Sequence, residues 1–213
     1  MPQKILYKKI INFPPFYFFL LLAITNFVLI GAAVQYYAGN FPVIQYPFSV
    51  SGEVYGPDGL NILSSRLYAL DQWISGGIMM ILAVRFYLGS EKNHSNFLSL
   101  LSFLTATGFI LAGFSPNDTS HGFHVVGSSF IVASLWIITS SYIFSLAPKI
   151  AKWKYFALHI ILQGTIFSYA TTYFIDLEPL SSILQKFALL GMGITLLYST
   201  RVSMLQESIN RTS

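Results

Sequence analysis

The sequence predicts an all-α membrane protein, a bundle of six transmembrane helices with both termini in the cytoplasm. Three observations predict this class: the apolar composition, six long apolar segments, and an uneven distribution of charge between the breaks that separate them. Of the 213 residues, 54% are hydrophobic and 9% are charged, whereas about 25% of the residues of a soluble domain carry charge. A chain with this apolar composition favours lipid as the solvent of its folded state.

Six segments have the length and composition of transmembrane helices, because about 20 apolar residues cross the hydrocarbon core of a bilayer. They are residues 16–37, 65–88, 97–114, 121–146, 155–175 and 181–204. Residues 1–213 are then a single transmembrane domain. Lysines precede the first segment, as they do in a signal peptide, but a signal peptide has an apolar region of only about 7–15 residues. We therefore expect the first segment to remain as a span.

The charges predict the direction of the spans. With six spans, the lysines and arginines before span one, between spans two and three, between spans four and five and in the tail all lie on one side. Five acidic residues lie on the other: Glu53, Asp58, Asp118, Asp176 and Glu178. Since lysine and arginine collect in cytoplasmic loops, both termini are predicted to be cytoplasmic. The expected location is the inner (plasma) membrane of a bacterial cell.

The composition also excludes several kinds of chemistry. The chain has no cysteine, which excludes disulfides, thiolate metal sites and a cysteine nucleophile. The net charge of +4 is explained by topology, and no basic patch indicates nucleic acid as a partner. The longest segment outside the spans, residues 38–64, is rich in glycine and turn signals. Its length predicts a lid or binding loop on the outer face.

The polar turn between spans three and four carries the strongest indication of chemistry. Asp118, His121 and His124 follow at intervals of three residues, which on a helix would place them on one broad face. Such residues are ligands for zinc or another divalent ion, or an acid/base pair that works near neutral pH. In the alternative interpretation, Asp118 or Thr119 caps span four, and the histidines make ordinary polar contacts at the membrane surface.

Asp71 is the second candidate, because an unpaired carboxylate inside a span costs about 2.5–3.5 kcal/mol. Either Arg66 or a donor in a loop neutralises it, or it faces His121 or His124 and orients an imidazole. The candidate catalytic residues are therefore His121, His124, Asp118 and Asp71, with His121 and His124 as metal ligands in the alternative role.

Other polar and small residues inside the spans predict helix packing. Asn26 and Gln163 are expected to form hydrogen bonds between helices. Glycines recur inside the spans, where the lack of a side chain lets helix backbones approach closely; they include Gly76, Gly77, Gly108, Gly127 and Gly164.

Three short motifs resemble a known family. They are Y-P-F-S-V-S-G at residues 46–52, G-F-S-P-N-D at residues 113–118, and the histidine that follows at His121. In these motifs and in its layout the chain resembles the six-span membrane proteins of domain-of-unknown-function family 998, and more distantly the Frag/DRAM/Sfk group. The first resemblance implies no activity. The second implies lipid handling at the outer leaflet.

Three functions are consistent with the sequence. The first is a lipid-interacting protein with a polar His/Asp pocket at the outer face, acting as a hydrolase or transferase on a lipid or glycolipid. The second is a small transporter or channel, and the third is a non-catalytic membrane scaffold. Membrane lipids are the expected partners in the first. The sequence leaves open whether the protein is an enzyme, which metal it would bind and how many copies associate.

Overall fold

Helices make up almost all of the fold. The structure is a computed structural model that describes residues 13–89 and 93–212. Within these ranges there are six α-helices: α1 Pro15–Gln35, α2 Ile62–Leu88, α3 Asn93–Phe114, α4 His121–Leu146, α5 Lys152–Phe174 and α6 Leu180–Thr212. Between α1 and α2 lie a short 3-10 helix, Phe48–Gly52, and an antiparallel hairpin of β1, Tyr55–Gly56, and β2, Gly59–Leu60. The prediction of an all-α fold is confirmed.

Five of the helices are long and apolar enough to cross a membrane: α1, α2, the Ser95–Phe114 part of α3, α4, and the Leu180–Ile209 part of α6. Large apolar side chains on the helices are exposed, including Phe27 at 84% and Ile160 at 72%, as expected for residues that contact lipid. These helices indicate an integral membrane protein. α5 does not join the five, because His159 and Gln163 interrupt its apolar sequence, so the predicted count of six spans is not confirmed.

The helix limits follow the predicted spans to within four residues except at the end of α6. α4 covers the predicted residues 121–146. α2 begins three residues before predicted residue 65, at Ile62, so the connecting loop is residues 36–61 rather than 38–64. α6 continues beyond the predicted end at residue 204 to Thr212. Most residues after 204 are polar, but they include the good helix formers Gln206 and Glu207, and apolar length predicts only the part of a helix that lies in lipid.

The helices pack in a closed ring with one helix outside it. α1 packs on α2, α2 on α3 and α3 on α4, while α6 closes the ring by packing on both α4 and α1. α5 lies outside, mainly against α6 and to a lesser extent against α4. α5 is therefore the helix with the least contact to the rest of the bundle.

Glycines set the distance between α3 and α4. A Cβ atom at Gly108 would lie 2.6 Å from the carbonyl oxygen of Gly127, and a Cβ atom at Gly127 would lie 2.8 Å from the carbonyl oxygen of Gly108. The predicted packing role is confirmed for this pair. It is wrong for Gly77 and Gly164, whose Cβ positions have no described atom within 4 Å; both face away from the neighbouring helices.

The two ends of the bundle differ. The loop end is the end that carries residues 36–61 and the turns at 115–120 and 175–179; the opposite end carries the turn at 147–151. Toward the opposite end the large buried side chains are apolar, with Met79, Leu82, Ile138 and Leu146 fully buried. Toward the loop end many of the buried residues are polar, and they include Ser64, Asp71, Gln72, Ser75 and His124.

Both predicted hydrogen bonds between helices are present. Asn26 Nδ2 on α1 donates to Ser75 Oγ on α2 at 2.7 Å. Gln163 Oε1 on α5 accepts from Trp136 Nε1 on α4 at 2.8 Å. These two side chains are therefore packing residues.

Candidate functional site

The loop between α1 and α2 is bound to the bundle by a buried asparagine. Asn61 is 1% exposed. Its Oδ1 accepts from the Ala38 amide at 3.0 Å, and its Nδ2 donates to the carbonyl oxygens of Ser51 at 3.2 Å and Glu53 at 2.8 Å. Ser64 Oγ on α2 also lies 2.7 Å from the Ser51 oxygen. Because both the start and the middle of the loop are held by α2 and the residue that precedes it, the loop has a fixed position.

Two further contacts fix the loop. Gly52 lies against the ring of Tyr68, where a Cβ atom would be 2.4 Å from Cδ1. From the other side of the bundle, Lys186 Nζ on α6 donates to the Tyr46 oxygen at 2.8 Å, and it lies 5.3 Å from the centre of the Phe48 ring. The loop therefore bridges α2 and α6 at the loop end, as the predicted lid would.

Asp118 binds the same loop. Its Oδ2 accepts from the backbone amides of Val54 at 2.9 Å and Tyr55 at 3.0 Å. The N-cap residue of α4 is Ser120, which makes no side-chain capping bond to any described residue. The predicted cap by Asp118 or Thr119 is thus wrong, because the turn before α4 directs this carboxylate to the amides ahead of the hairpin.

His121 is the exposed end of a chain of hydrogen bonds. His121 Nδ1 lies 2.9 Å from Asn117 Oδ1, and Asn117 Nδ2 donates to Glu53 Oε1 at 3.0 Å. An amide oxygen only accepts, so Nδ1 donates in this contact, and the neutral tautomer that fits it has its lone pair on Nε2. Glu53, Asn117 and His121 together are called the relay below.

The carboxyl group of Glu53 has an altered acidity. It is half-buried, and this burial raises its pKa above the ordinary value of 4.5. The negative charge of Asp118 raises the pKa further, while the hydrogen bond from Asn117 opposes the rise. The folded protein therefore favours the protonated form of this group more than the unfolded chain does.

This shift predicts a pH dependence of stability. The stabilising effect of a raised carboxyl pKa is complete below the unfolded value near 4.5 and is lost as the pH rises through the folded pKa. Glu53→Gln keeps an acceptor for Asn117 but does not titrate, so it should remove this loss of stability at higher pH. We therefore expect the melting temperature of the variant, minus that of the wild type, to increase from pH 4 to pH 7. Melting in detergent measures the difference. The matched control is Asp58→Asn in the same loop, and an equal pH profile for both variants would contradict the assignment.

His124 has a different environment from His121. It is 4% exposed, its Nδ1 donates to the Ser115 oxygen at 2.9 Å, and its ring centre lies 6.4 Å from that of Tyr68. The prediction that Asp118, His121 and His124 share one face is wrong. Asp118 belongs to the turn before the helix, and a step of three residues rotates the second imidazole by about 60°, which is enough to bring it inside the bundle.

Asp71 is fully buried without either of its predicted partners. Its Oδ2 accepts from Gln72 Nε2 at 2.9 Å, and its Oδ1 has no hydrogen-bond partner among the described residues. Arg66 is exposed, because five residues along a helix correspond to a rotation of about 140° from the same face. Asp71 orients neither histidine, because its Oδ2 binds Gln72 and its Oδ1 binds no described residue, while the Nδ1 atoms of His121 and His124 bind Asn117 and a backbone carbonyl.

No zinc-type site is assembled from the predicted ligands. The described residues contain no group of three or more His, Cys, Asp or Glu that could hold a metal ion. His121 and His124 provide two imidazoles, one exposed and one buried. The predicted set of four residues divides instead into Asp118, which holds the loop, His121 in the relay, and two buried side chains.

Two members of the relay were not among the predicted site residues. Asn117 precedes His121 by four residues, a spacing at which side chains near a helix start can meet, so this contact is readable from the sequence. Glu53 is 64 residues from Asn117, and no local pattern indicates that contact. The sequence also indicates a contact for Lys186, because a lone cation within a predicted span requires a partner.

Comparisons with protein-family models, curated proteins and solved structures give no match to this chain. The resemblance to domain-of-unknown-function family 998 and to the Frag/DRAM/Sfk group therefore stays a prediction based on the short motifs.

Proposed function

We propose that this protein is a six-span integral membrane protein of a bacterial inner membrane that binds a lipid head group at its loop end, on the outer side. Both termini are cytoplasmic in this proposal. α4 and α6 both begin at the loop end, where Asp118 and Lys186 contact the loop, so α5 has to return from the opposite end. Its 23 residues extend about 34 Å, which is sufficient to cross a bilayer.

The relay is the observation that carries the proposal. Glu53 fixes the amide of Asn117, and the amide oxygen fixes the tautomer of His121. The Nε2 lone pair of an exposed, neutral imidazole is then free to accept a proton. Among the four predicted site residues, this is the one whose reactive atom faces outward instead of being used in a structural contact.

The neighbours of His121 favour lipid as the ligand. Phe114 and Phe123, which lie on either side of it in the chain, are each 68% exposed. Aromatic side chains at the ends of transmembrane helices lie at the level of the lipid head groups. The imidazole is thus at the depth of a head group and its ester bonds. The resemblance to the Frag/DRAM/Sfk group points to the same ligand class.

The chemistry that fits this geometry is hydrolysis or transfer at an ester bond of the head group. His121 Nε2 takes a proton from water or from an acceptor hydroxyl, and the resulting oxygen nucleophile attacks the ester. The bond to the leaving alcohol breaks, and the imidazolium returns the proton to that alcohol. The negative charge of Glu53, transmitted through Asn117, stabilises the transient imidazolium.

His121→Gln tests the proposal. We expect the wild-type protein in liposomes of bacterial lipid extract to convert one head-group class, and we expect the variant to lose at least about 100-fold of that rate, the usual contribution of a general base. Mass spectrometry of the lipids measures conversion, and the melting temperature in detergent reports folding. His159→Gln, at the other end of the bundle, is the matched control. The proposal would be overturned if liposomes with the wild type and liposomes with His121→Gln gave the same lipid profile.

A specific observation also favours the scaffold alternative. Asp118 is occupied by two loop amides and His124 by the Ser115 carbonyl, as expected if the polar cluster only stabilises the loop. In that case the wild-type protein converts no lipid, while Asp118 variants still loosen the loop.

The transporter alternative has less support. Buried threonines toward the opposite end donate to the carbonyl four residues earlier in their own helix; they are Thr105, Thr139, Thr195 and Thr200. Their hydroxyl groups therefore contribute to helix packing and do not line a polar path through the bilayer.

A further inference from the structure

A compact basic surface lies at the opposite end of the bundle, away from the relay. Lys149 lies in the turn after α4, and Lys152, Trp153 and Lys154 form the first turn of α5. All four side chains are exposed. These residues together are called the basic turn below.

Helix stability does not explain the lysines. The first turn of a helix has unpaired amide groups and a partial positive charge, so acidic side chains stabilise it and basic ones destabilise it. The first turn of α5 has no acidic residue, and its N-cap residue is Ala151, whose side chain cannot cap. The lysines thus add positive charge where the backbone is already positive and where no described acidic residue of the first turn compensates it, an arrangement that suits an anionic ligand.

The aromatic residues show where that molecule lies. Trp153 is 68% exposed, and Phe156 is 60% exposed one turn further along α5. Lys154 Nζ lies 5.6 Å from the centre of the Trp153 ring, so the cation and the indole occupy one surface. An exposed tryptophan beside lysines at a helix end is typical of the boundary between lipid chains and head groups.

We propose that the basic turn binds the phosphate groups of anionic phospholipids. Lysines beside the bilayer are attracted to anionic head groups, and Trp153 holds the turn at their depth. α5 has few neighbours within the bundle, so lipid has access to this surface. The surface complements the negative charge of the lipid, which distinguishes it from the relay, where Glu53 and Asp118 supply negative charge.

Lipid titration of the full chain in detergent tests the proposal. Phosphatidylglycerol or phosphatidylcholine is added, and bound lipid is counted by native mass spectrometry. We expect the wild type to prefer phosphatidylglycerol. We expect Lys152→Gln/Lys154→Gln to weaken phosphatidylglycerol binding about 25-fold, since each lysine contributes about a fivefold gain. Lys152→Arg/Lys154→Arg is the matched control and should retain the preference.

Three results would overturn the proposal. They are equal binding of the two lipids by the wild type, phosphatidylglycerol binding unchanged in the glutamine variant, and full competition by soluble glycerol phosphate, which would indicate a site for free phosphate. A melting temperature shared by the three proteins shows that the variants fold. The conversion assay measures the relay and this titration measures the basic turn, so failure here is distinct from failure of the proposed function.

Discussion

Gly108→Ala is expected to destabilise the bundle by about 1–3 kcal/mol, the usual cost of forcing extra volume into a packed interior. The new Cβ atom would lie 2.6 Å from the Gly127 oxygen and 2.9 Å from the Ile131 nitrogen. Both are backbone atoms, so no side-chain rotation relieves the contact and α3 must move away from α4. Unfolding in mixed detergent, followed by circular dichroism, measures the loss.

Gly77→Ala is the matched control, because its Cβ position has no described atom within 4 Å. Alanine favours helix over glycine by about 1 kcal/mol, so this variant should be as stable as the wild type or more stable. Equal losses in the two variants would mean that helix glycines matter for another reason. An unchanged Gly108→Ala protein would contradict the close approach of α3 and α4.

The length of an apolar segment predicts the limits of a helix where hydropathy determines them. It fails where another property, such as helix propensity, determines the limits. α4 matches residues 121–146 because Pro116 and Pro148 lie just outside an apolar segment. The last turns of α6 have polar side chains, and helix propensity continues them where hydropathy predicts a tail. α5 shows the reverse case, since it is a helix where one is predicted, but it is less apolar than the five candidate spans.

The site was predictable only where its contacts are local. The proximity of Asn117 and His121 follows from a spacing of four residues, and the polar turn was recognised as the candidate site. The amides that Asp118 binds are more than 60 residues away, and their need for an acceptor arises only once the loop has folded. Asp71 is a second example of this limit. The sequence indicates that its buried carboxylate needs a partner, but it does not indicate which neighbours the Asp71 face of the helix meets.

Asp118→Ala is expected to free the middle of the loop. The carboxylate accepts from the Val54 and Tyr55 amides, and each hydrogen bond contributes about 0.5–1.5 kcal/mol. The two bonds together contribute about 1–3 kcal/mol, which corresponds to a factor of about 5–150 in the population of the open state. Hydrogen exchange of these two amides should accelerate by that factor, while the amides in the middle of α3 should not change.

Asp58→Ala is the control, since this exposed acid lies in the same loop and binds neither amide. If both variants accelerate exchange equally, the effect is one of loop charge, and the contact to Asp118 has no special role.

Asp118→Ala also connects the loop to the relay, because Glu53 is adjacent to Val54 and moves with it. Opening the loop separates Glu53 from Asn117, and His121 then loses the contact that fixes its tautomer. We therefore expect Asp118→Ala to slow lipid conversion even though Asp118 itself touches no reacting atom, and Asp58→Ala to leave the rate unchanged.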